Sequence, residues 1–272
     1  MKPRQVPVGW RHVSLSKVLV SAVCLVALTG TALSQGTQLE SQNLDNLIAK
    51  VKQGQFTPAT VNRIVQLRGV QAIPVLREQF SVHADTLTRQ ALASGLVRLG
   101  DSDQVYWDFL VDHARVAIES DAPFPIAFDS QGKLVPKQLS PEFVAWAKAN
   151  NLQPESASSV HMYALPIDVT FLAVTGDARG LALLRKGLSS RNYLVQAVAA
   201  KGLAKLQDRD SVPAIIEACR KAPAQVSELI ARALVFFDDV RATGASETFI
   251  TDRQVLAELR RLSREKGPSG VF

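Results

Sequence analysis

The chain has 272 residues with 31 basic and 25 acidic side chains, a formal net charge of +6. Apolar residues make up 47% and charged residues 21%, a globular composition that excludes intrinsic disorder, a collagen-like rod and a disulfide scaffold. Aromatics are only 6% and no long run alternates apolar with polar residues, so a β-sandwich or barrel is disfavoured too.

Residues 1–34 hold Lys2, Arg4, Arg11 and Lys17 and no acid. Without them the net charge falls to +2, so the basic balance is mostly N-terminal and a nucleic-acid-binding body is not supported. A basic stretch ending at Lys17, an apolar run from Val18 to Leu33, and small residues Ala32 and Ser34 before Gln35 have the three-part form of an export signal. The run is shorter than the roughly 20 residues a membrane helix needs. The expectation is a cleaved signal peptide over 1–34, with a retained N-terminal membrane anchor as the alternative. After cleavage no stable membrane span remains, and the protein is placed in a bacterial periplasm or cell envelope. Cys24 sits in mid-run, out of place for lipid attachment. Cys219 is then the one cysteine left and reads as a small buried hydrophobe.

Residues 35–42 are expected to form a flexible leader and 41–53 a first helix. From there a repeat emerges. GLVRLGDSDQV at 95–105 matches GLAKLQDRDSV at 202–212 at an offset of 107, with Leu96, Leu99, Asp101, Asp103 and Val105 falling on Leu203, Leu206, Asp208, Asp210 and Val212. In steps of 31, Asp177, Asp208 and Asp239 are in register, as are Leu172, Leu203 and Leu234. An earlier unit, Ile64–Leu76, matches at an offset of 139, with Gly69 in place of the turn aspartate. Each unit reads as an amphipathic helix with small residues on its buried face, a short Asp-bearing turn, and a second helix that opens on apolar residues. Asp101, Asp103, Asp208 and Asp210 need no metal. A helix start accounts for them, because a carboxylate there accepts from an orphan backbone N–H.

The expected helices are 41–53, 58–68, 71–81, 85–99, 103–119, 141–150, 157–175, 178–188, 193–206, 210–221, 223–237 and 252–265. Pro166 should kink or break the seventh. Residues 121–157 interrupt the series. There Ile126–Phe128 and Lys133–Val135 flank Asp129-Ser130-Gln131-Gly132, which suits a small β-hairpin, and Ser140-Pro141 opens a helix carrying Phe143 and Trp146. Val240–Thr251 reads as a second interruption, a loop. Residues 266–272 read as a frayed tail.

The segment LSSRNYLVQAVAAKGLAKLQDRDSVPAIIEACRKAPAQVSELIARALVFFDD resembles HEAT repeats, of the short kind found in phycobilisome-lyase-like HEAT proteins. The likeness covers most of 57–120 and 158–239. It implies an all-α fold, a right-handed α-solenoid of HEAT-like helical hairpins, organised as signal peptide 1–34, leader and first helix 35–56, repeats 57–120, insertion 121–157, repeats and C-terminal helix 158–265, and tail 266–272. It also implies a binding surface, since such solenoids mostly present one.

No catalytic, cofactor-binding or metal-binding motif is present. The His-Glu pairs by which HEAT-type hydroxylases hold iron are missing, and nothing marks a tetrapyrrole pocket of the bilin-lyase kind. The candidate binding residues fall in two groups. One is the aromatic set of the insertion, Phe124, Phe128 and Trp146, which either forms a lip on the solenoid edge or packs down on the helices. The other is a basic column. Repeat register aligns Arg98 with Lys205 and Lys201 with Arg232, on first helices that the resemblance places on the concave side. The expected activity is non-enzymatic, a protein-interaction or scaffolding module whose partner is a protein or peptide rather than nucleic acid. The alternative is a small-ligand binder or enzyme with a cavity between insertion and solenoid. It requires Phe124, Trp107, Tyr106, Tyr163 and His161 to converge.

Overall fold

The computed structural model describes residues 37–272, so the expected signal peptide over 1–34 lies outside the described residues. Helices dominate, as the repeat pattern requires: α1 (Thr37–Lys52), α2 (Pro58–Gln66), α3 (Ile73–Val82), α4 (Thr86–Arg98), α5 (Gln104–Glu119), α6 (Pro141–Ala149), α7 (Pro154–Ser159), α8 (Leu165–Ala173), α9 (Leu181–Gly187), α10 (Tyr193–Lys205), α11 (Val212–Lys221), α12 (Ala224–Ala231), α13 (Val240–Phe249) and α14 (Arg253–Lys266). Among the described residues the strands are β1 (Ile126–Phe128) and β2 (Leu134–Leu139), paired antiparallel. The fold is an all-α solenoid with one small hairpin. The leader expectation fails over 37–42, which α1 absorbs.

The register has a concrete backbone cause. Three first helices end in the same C-terminal cap. Asp101 N donates to Leu96 O, Asp208 N to Leu203 O and Gly69 N to Ile64 O, each at 3.0 Å. The residue before each donor takes positive φ, at Gly100, Gln207 and Arg68. This is the Schellman geometry, which satisfies carbonyls that a helix end leaves orphaned and reverses the chain in a few residues. Gly176 holds the same position, with φ of 65°. A fixed turn of this kind explains why the sequences on either side stay in step.

The turn aspartates divide between two jobs. Asp103 caps α5, accepting from Val105 N at 3.1 Å, and Asp177 and Asp239 cap in the same manner, from Arg179 N and Arg241 N. Asp101 and Asp208 do not cap their helices with a side chain, which corrects the sequence expectation. Arg77 holds Asp101 through two 2.7 Å bonds, and Arg185 holds Asp208 through bonds of 2.8 and 2.5 Å. Each arginine belongs to the second helix of one unit and each aspartate to the turn of the next. The pairs therefore stitch consecutive units together. Asp210 is exposed and reaches only Arg185, at 3.6 Å.

The core has two large clusters that meet at α8 and a small third one, Ala122, Phe143, Ala147 and Ala157, within the insertion. Phe171 and Leu172 of α8 join Leu76, Leu92, Leu96 and Leu110, while Val169 and Ala173 join Leu184, Leu203, Ile215 and Leu234. A helix apolar all round is one buried on several sides. Just before it, Val160–Ala164 forms a π-turn, the break expected at Pro166, whose ring and missing N–H cannot sustain the regular ladder. Helix α5 packs directly on α8, so the insertion between them loops out without opening a gap in the stack.

Two further expectations are corrected. Val240–Thr251 is not a loop, because α13 occupies most of it. Gly and Thr hide the pattern, but Asp239 caps the helix and the small residues Ala242 and Ser246 are buried one turn apart. This helix completes the last pair, in register with Asp239. The 266–272 tail is not frayed either. Gly267–Val271 forms a 3₁₀ turn that packs on α10, with Val271 buried and Phe272 half-buried. Among the described residues no helix is long and apolar enough to cross a membrane.

Candidate functional site

The insertion lies down on the solenoid. Leu134 N donates to Gln225 Oε1 at 2.9 Å and Gln225 N to Gly132 O at 3.2 Å, tying the hairpin to the start of α12. The Phe124 and Phe128 rings lie 5.5 and 6.0 Å from that of Tyr193, the first residue of α10. Phe124 is only 5% exposed. As a binding residue it is corrected: its ring is used against the helices and presents no face to a partner. Phe128 is half-buried in the same contact. Trp146, also half-buried, donates from Nε1 to Asp121 Oδ1 at 2.9 Å and packs on the fully buried Phe143.

His161, on the π-turn, stands edge-on to Trp146 and Phe143 at centroid distances of 5.0 and 5.5 Å. Burial pushes its imidazole down to about 4, against the opposing pull of Asp121. Its Nδ1 is buried without a hydrogen-bond partner. A shallow depression of about 480 Å³ lies nearby, lined by Glu119, Ser120, Asp121, Lys186, Ser190 and Arg191 among others. The five aromatic and histidine residues do not gather there. Tyr106 packs on Phe80, Trp107 lies under the Arg179 guanidinium at 4.3 Å, Phe124 sits on Tyr193, and His161 is with Phe143 and Trp146. Among the described residues no group of three or more His, Cys, Asp or Glu side chains is placed to hold a metal.

The basic column, in contrast, comes together. Arg98 closes α4, Lys201 and Lys205 lie on the last turns of α10, and Arg232 follows α12. All four are half-buried. Burial lowers Lys205 to about 8, with Arg98 the second cause. Burial also lowers Lys201 below the ordinary lysine range, and Arg232 adds to this. Arg98 is lowered by burial alone. Like charges thus stand close enough to oppose one another across the stack. Three of the four have partners. Arg98 donates to Asn62 Oδ1 at 2.9 Å, Lys205 to Val174 O at 2.7 Å, and Arg232 to Glu228 Oε1 at 2.9 Å. Among the described residues Lys201 meets the face of Phe272, 5.9 Å from its Nζ, and no hydrogen-bond or ion-pair partner, and Lys205 shares that ring at 5.8 Å. The Arg232 Nε is buried and unpartnered.

Sequence register thus found the cations but missed Phe272, because a Gly- and Pro-bearing tail carries no helical signal. Tyr193 and Lys205 bound the same helix, so insertion and cation row lie about 18 Å apart along α10 at 1.5 Å per residue. They are two surfaces, at opposite ends of the first helices.

A family model described as the PBS lyase HEAT-like repeat matches residues 195–221, which span α10 and α11. No curated protein and no solved structure matches the chain.

Proposed function

We propose, from a chain that carries a HEAT-like repeat and folds as an all-α solenoid, that the protein is a non-catalytic interaction module, exported to the cell envelope by residues 1–34, whose protein partner docks on the first-helix face. HEAT-like repeats commonly serve protein interaction, which is the coarse ground for the reading. The single observation that carries it further is the row of half-buried cations at Arg98, Lys205, Lys201 and Arg232, of which, among the described residues, Arg232 alone is ion-paired, with Glu228. Burying like charges side by side costs stability, and a partner that supplies the missing negative charge offsets that cost. Within the matched helices Cys219 is buried and its thiol is pushed up to about 12, which supports a structural role rather than thiol chemistry.

The test is chemical crosslinking in the native cells, with mass-spectrometric mapping of the linked residues and fractionation of the envelope. The reading expects one protein linked reproducibly through α4, α10 or α12, in the envelope fraction, with the chain beginning near Gln35. A cytoplasmic chain, or links confined to the second helices α3, α5 and α11, overturns it.

A further inference from the structure

The Lys201–Lys205 end of the cation row already has an occupant, and it comes from this chain. Gly267 ends α14 with a φ of 55°, a conformation that suits glycine and turns the chain back. Segment 267–272 then packs on α14, on α10 and on the Arg232–Phe236 turn. The Phe272 ring arrives 5.9 Å from Lys201 Nζ and 5.8 Å from Lys205 Nζ, so one ring serves two ammoniums a turn apart on α10. The approach is close-fitting. A Cβ on Gly270 would lie 3.0 Å from Leu262 O and 3.1 Å from the Phe236 ring.

What holds the segment on α10 is slight. Val271 is its one buried residue and Phe272 is half-buried. Among the described residues no backbone hydrogen bond joins the segment to α10. Phe272 also does little for the charges it covers. A ring face attracts an ammonium but brings no negative charge. Lys201 stays beside Arg232 with no ion pair among the described residues, and burial is the first cause of the low Lys201 and Lys205 values. A closure kept for stability brings a carboxylate, as Asp101 does for Arg77 and Glu228 for Arg232. The segment thus shields the cations without neutralising them, and a glycine hinge joins it to the helix it leaves.

Resting on the interaction-module reading, we infer that segment 267–272 is a displaceable cover over the Lys201–Lys205 end of the row, and that the partner reaches these cations only when the segment swings out at Gly267. Cover and partner compete for one surface. A site open only part of the time binds with an affinity reduced by that fraction, so loosening the cover strengthens docking.

The test uses the full chain in its native cells, with a photoreactive residue at Asn62, the Arg98 end of the row. Two variants loosen the cover from different places. Gly267→Ala acts at the hinge, where an added Cβ meets nothing within 4 Å but the φ of 55° disfavours any side chain. Phe272→Ala removes the ring. Both should raise the yield of protein photo-crosslinked to the first-helix face about threefold or more. In the purified chain, hydroxyl-radical footprinting should show Phe272 oxidised faster in Gly267→Ala than in the parent. Helix α10 should keep its hydrogen-exchange protection there, which separates an open cover from a loosened stack. A lowered yield in either variant, Phe272 no more reactive in Gly267→Ala, or lost protection of α10 overturns the assignment and makes the segment part of the fold or of the docking surface. If a protein crosslinks equally in all three chains, the cover falls and the interaction-module reading stands. If none crosslinks in any of them, both fall.

Discussion

Arg77 and Asp101 show how much one residue pair contributes to the stack. The Asp101 side chain is 0% exposed and the Arg77 side chain 50%. The guanidinium therefore reaches in from solvent to a carboxylate that has none. Removing Arg77 leaves a buried acceptor short of two charge-assisted bonds. Arg77→Ala should destabilise the fold, measured by denaturant unfolding, and Arg77→Lys should recover only part, since it cannot make the two-pronged contact. The hydrogen bonds from Arg77 hold the Asp101 carboxyl below the ordinary carboxylate range. Its contribution is thus present above the ordinary carboxylate pKa and is lost as pH falls toward the folded value. A loss no larger than for an exposed pair such as Arg115–Asp112 would contradict this. His161 makes the second prediction at this scale. Its folded pKa of about 4 lies below the ordinary 6.5, so the unfolded chain binds a proton between those values and the folded chain does not. The stability involved, about 3 kcal/mol, is complete above pH 6.5 and declines as pH falls toward 4. Asp168, raised to about 6 by burial, works in the opposite sense over most of that range, from about 4 to 6. Histidine NMR isolates the effect: one imidazole should remain neutral down to about pH 4, and titration of every histidine near 6.5 would refute it.

Small residues govern the elements. Gly202 of α10 has no room for a methyl group, because an added Cβ would fall 2.9 Å from both the Ala173 Cβ and a Leu184 methyl. Gly244 of α13 would meet nothing within 4 Å. Gly202→Ala should destabilise by about 1–3 kcal/mol despite the better helix propensity. Gly244→Ala should stabilise by about 0.5–1 kcal/mol. Opposite signs in denaturant unfolding are the expected outcome, and matching signs would show that propensity alone decides. The same contrast marks what was legible in the sequence. The first helices were readable because Leu, Ala and the turn Asp recur in register, and the Schellman turn keeps them so. Helix α13 was not, because Gly244 and its Thr neighbours disguise a helix that is secured by Asp239 and by packing of Ala242 and Ser246. The tail over 267–271 was hidden for a similar reason: its order comes from α10 and from the Arg232–Phe236 turn, not from its own composition. The split of the turn aspartates into caps and arginine partners could not be read either, because Arg77 and Arg185 lie more than 20 positions away in the chain.

Over the whole molecule the stack is continuous from α1 to α14 and the insertion rides on it as a strap. The insertion begins at the end of α5 and its hairpin is fastened to α12 through Gly132 and Gln225. Gly132→Ala would place a Cβ 2.7 Å from the Ala224 N, at a φ of 72° that disfavours any side chain. It should release the hairpin, raising hydrogen exchange over 126–139 while the repeats stay protected. Uniform exchange across both would show that the hairpin is part of the global unfolding unit. At this scale the sequence reading placed the basic column at one end of the first helices, with Lys201 and Arg232 one repeat apart and Lys205 one turn beyond Lys201 on α10. It did not hold for the lip, because aromatic composition alone does not distinguish a ring offered to solvent from one laid against Tyr193.

We propose that the first-helix cation row is kept for a partner at some expense to the fold. The most direct test measures two quantities on one variant, Lys201→Gln: unfolding free energy in vitro and crosslinking yield to the native partner in cells. Stability within about 0.5 kcal/mol of the parent or above it is expected, together with a clear fall in crosslinking. Lower stability with undiminished crosslinking would contradict it and make Lys201 a structural residue.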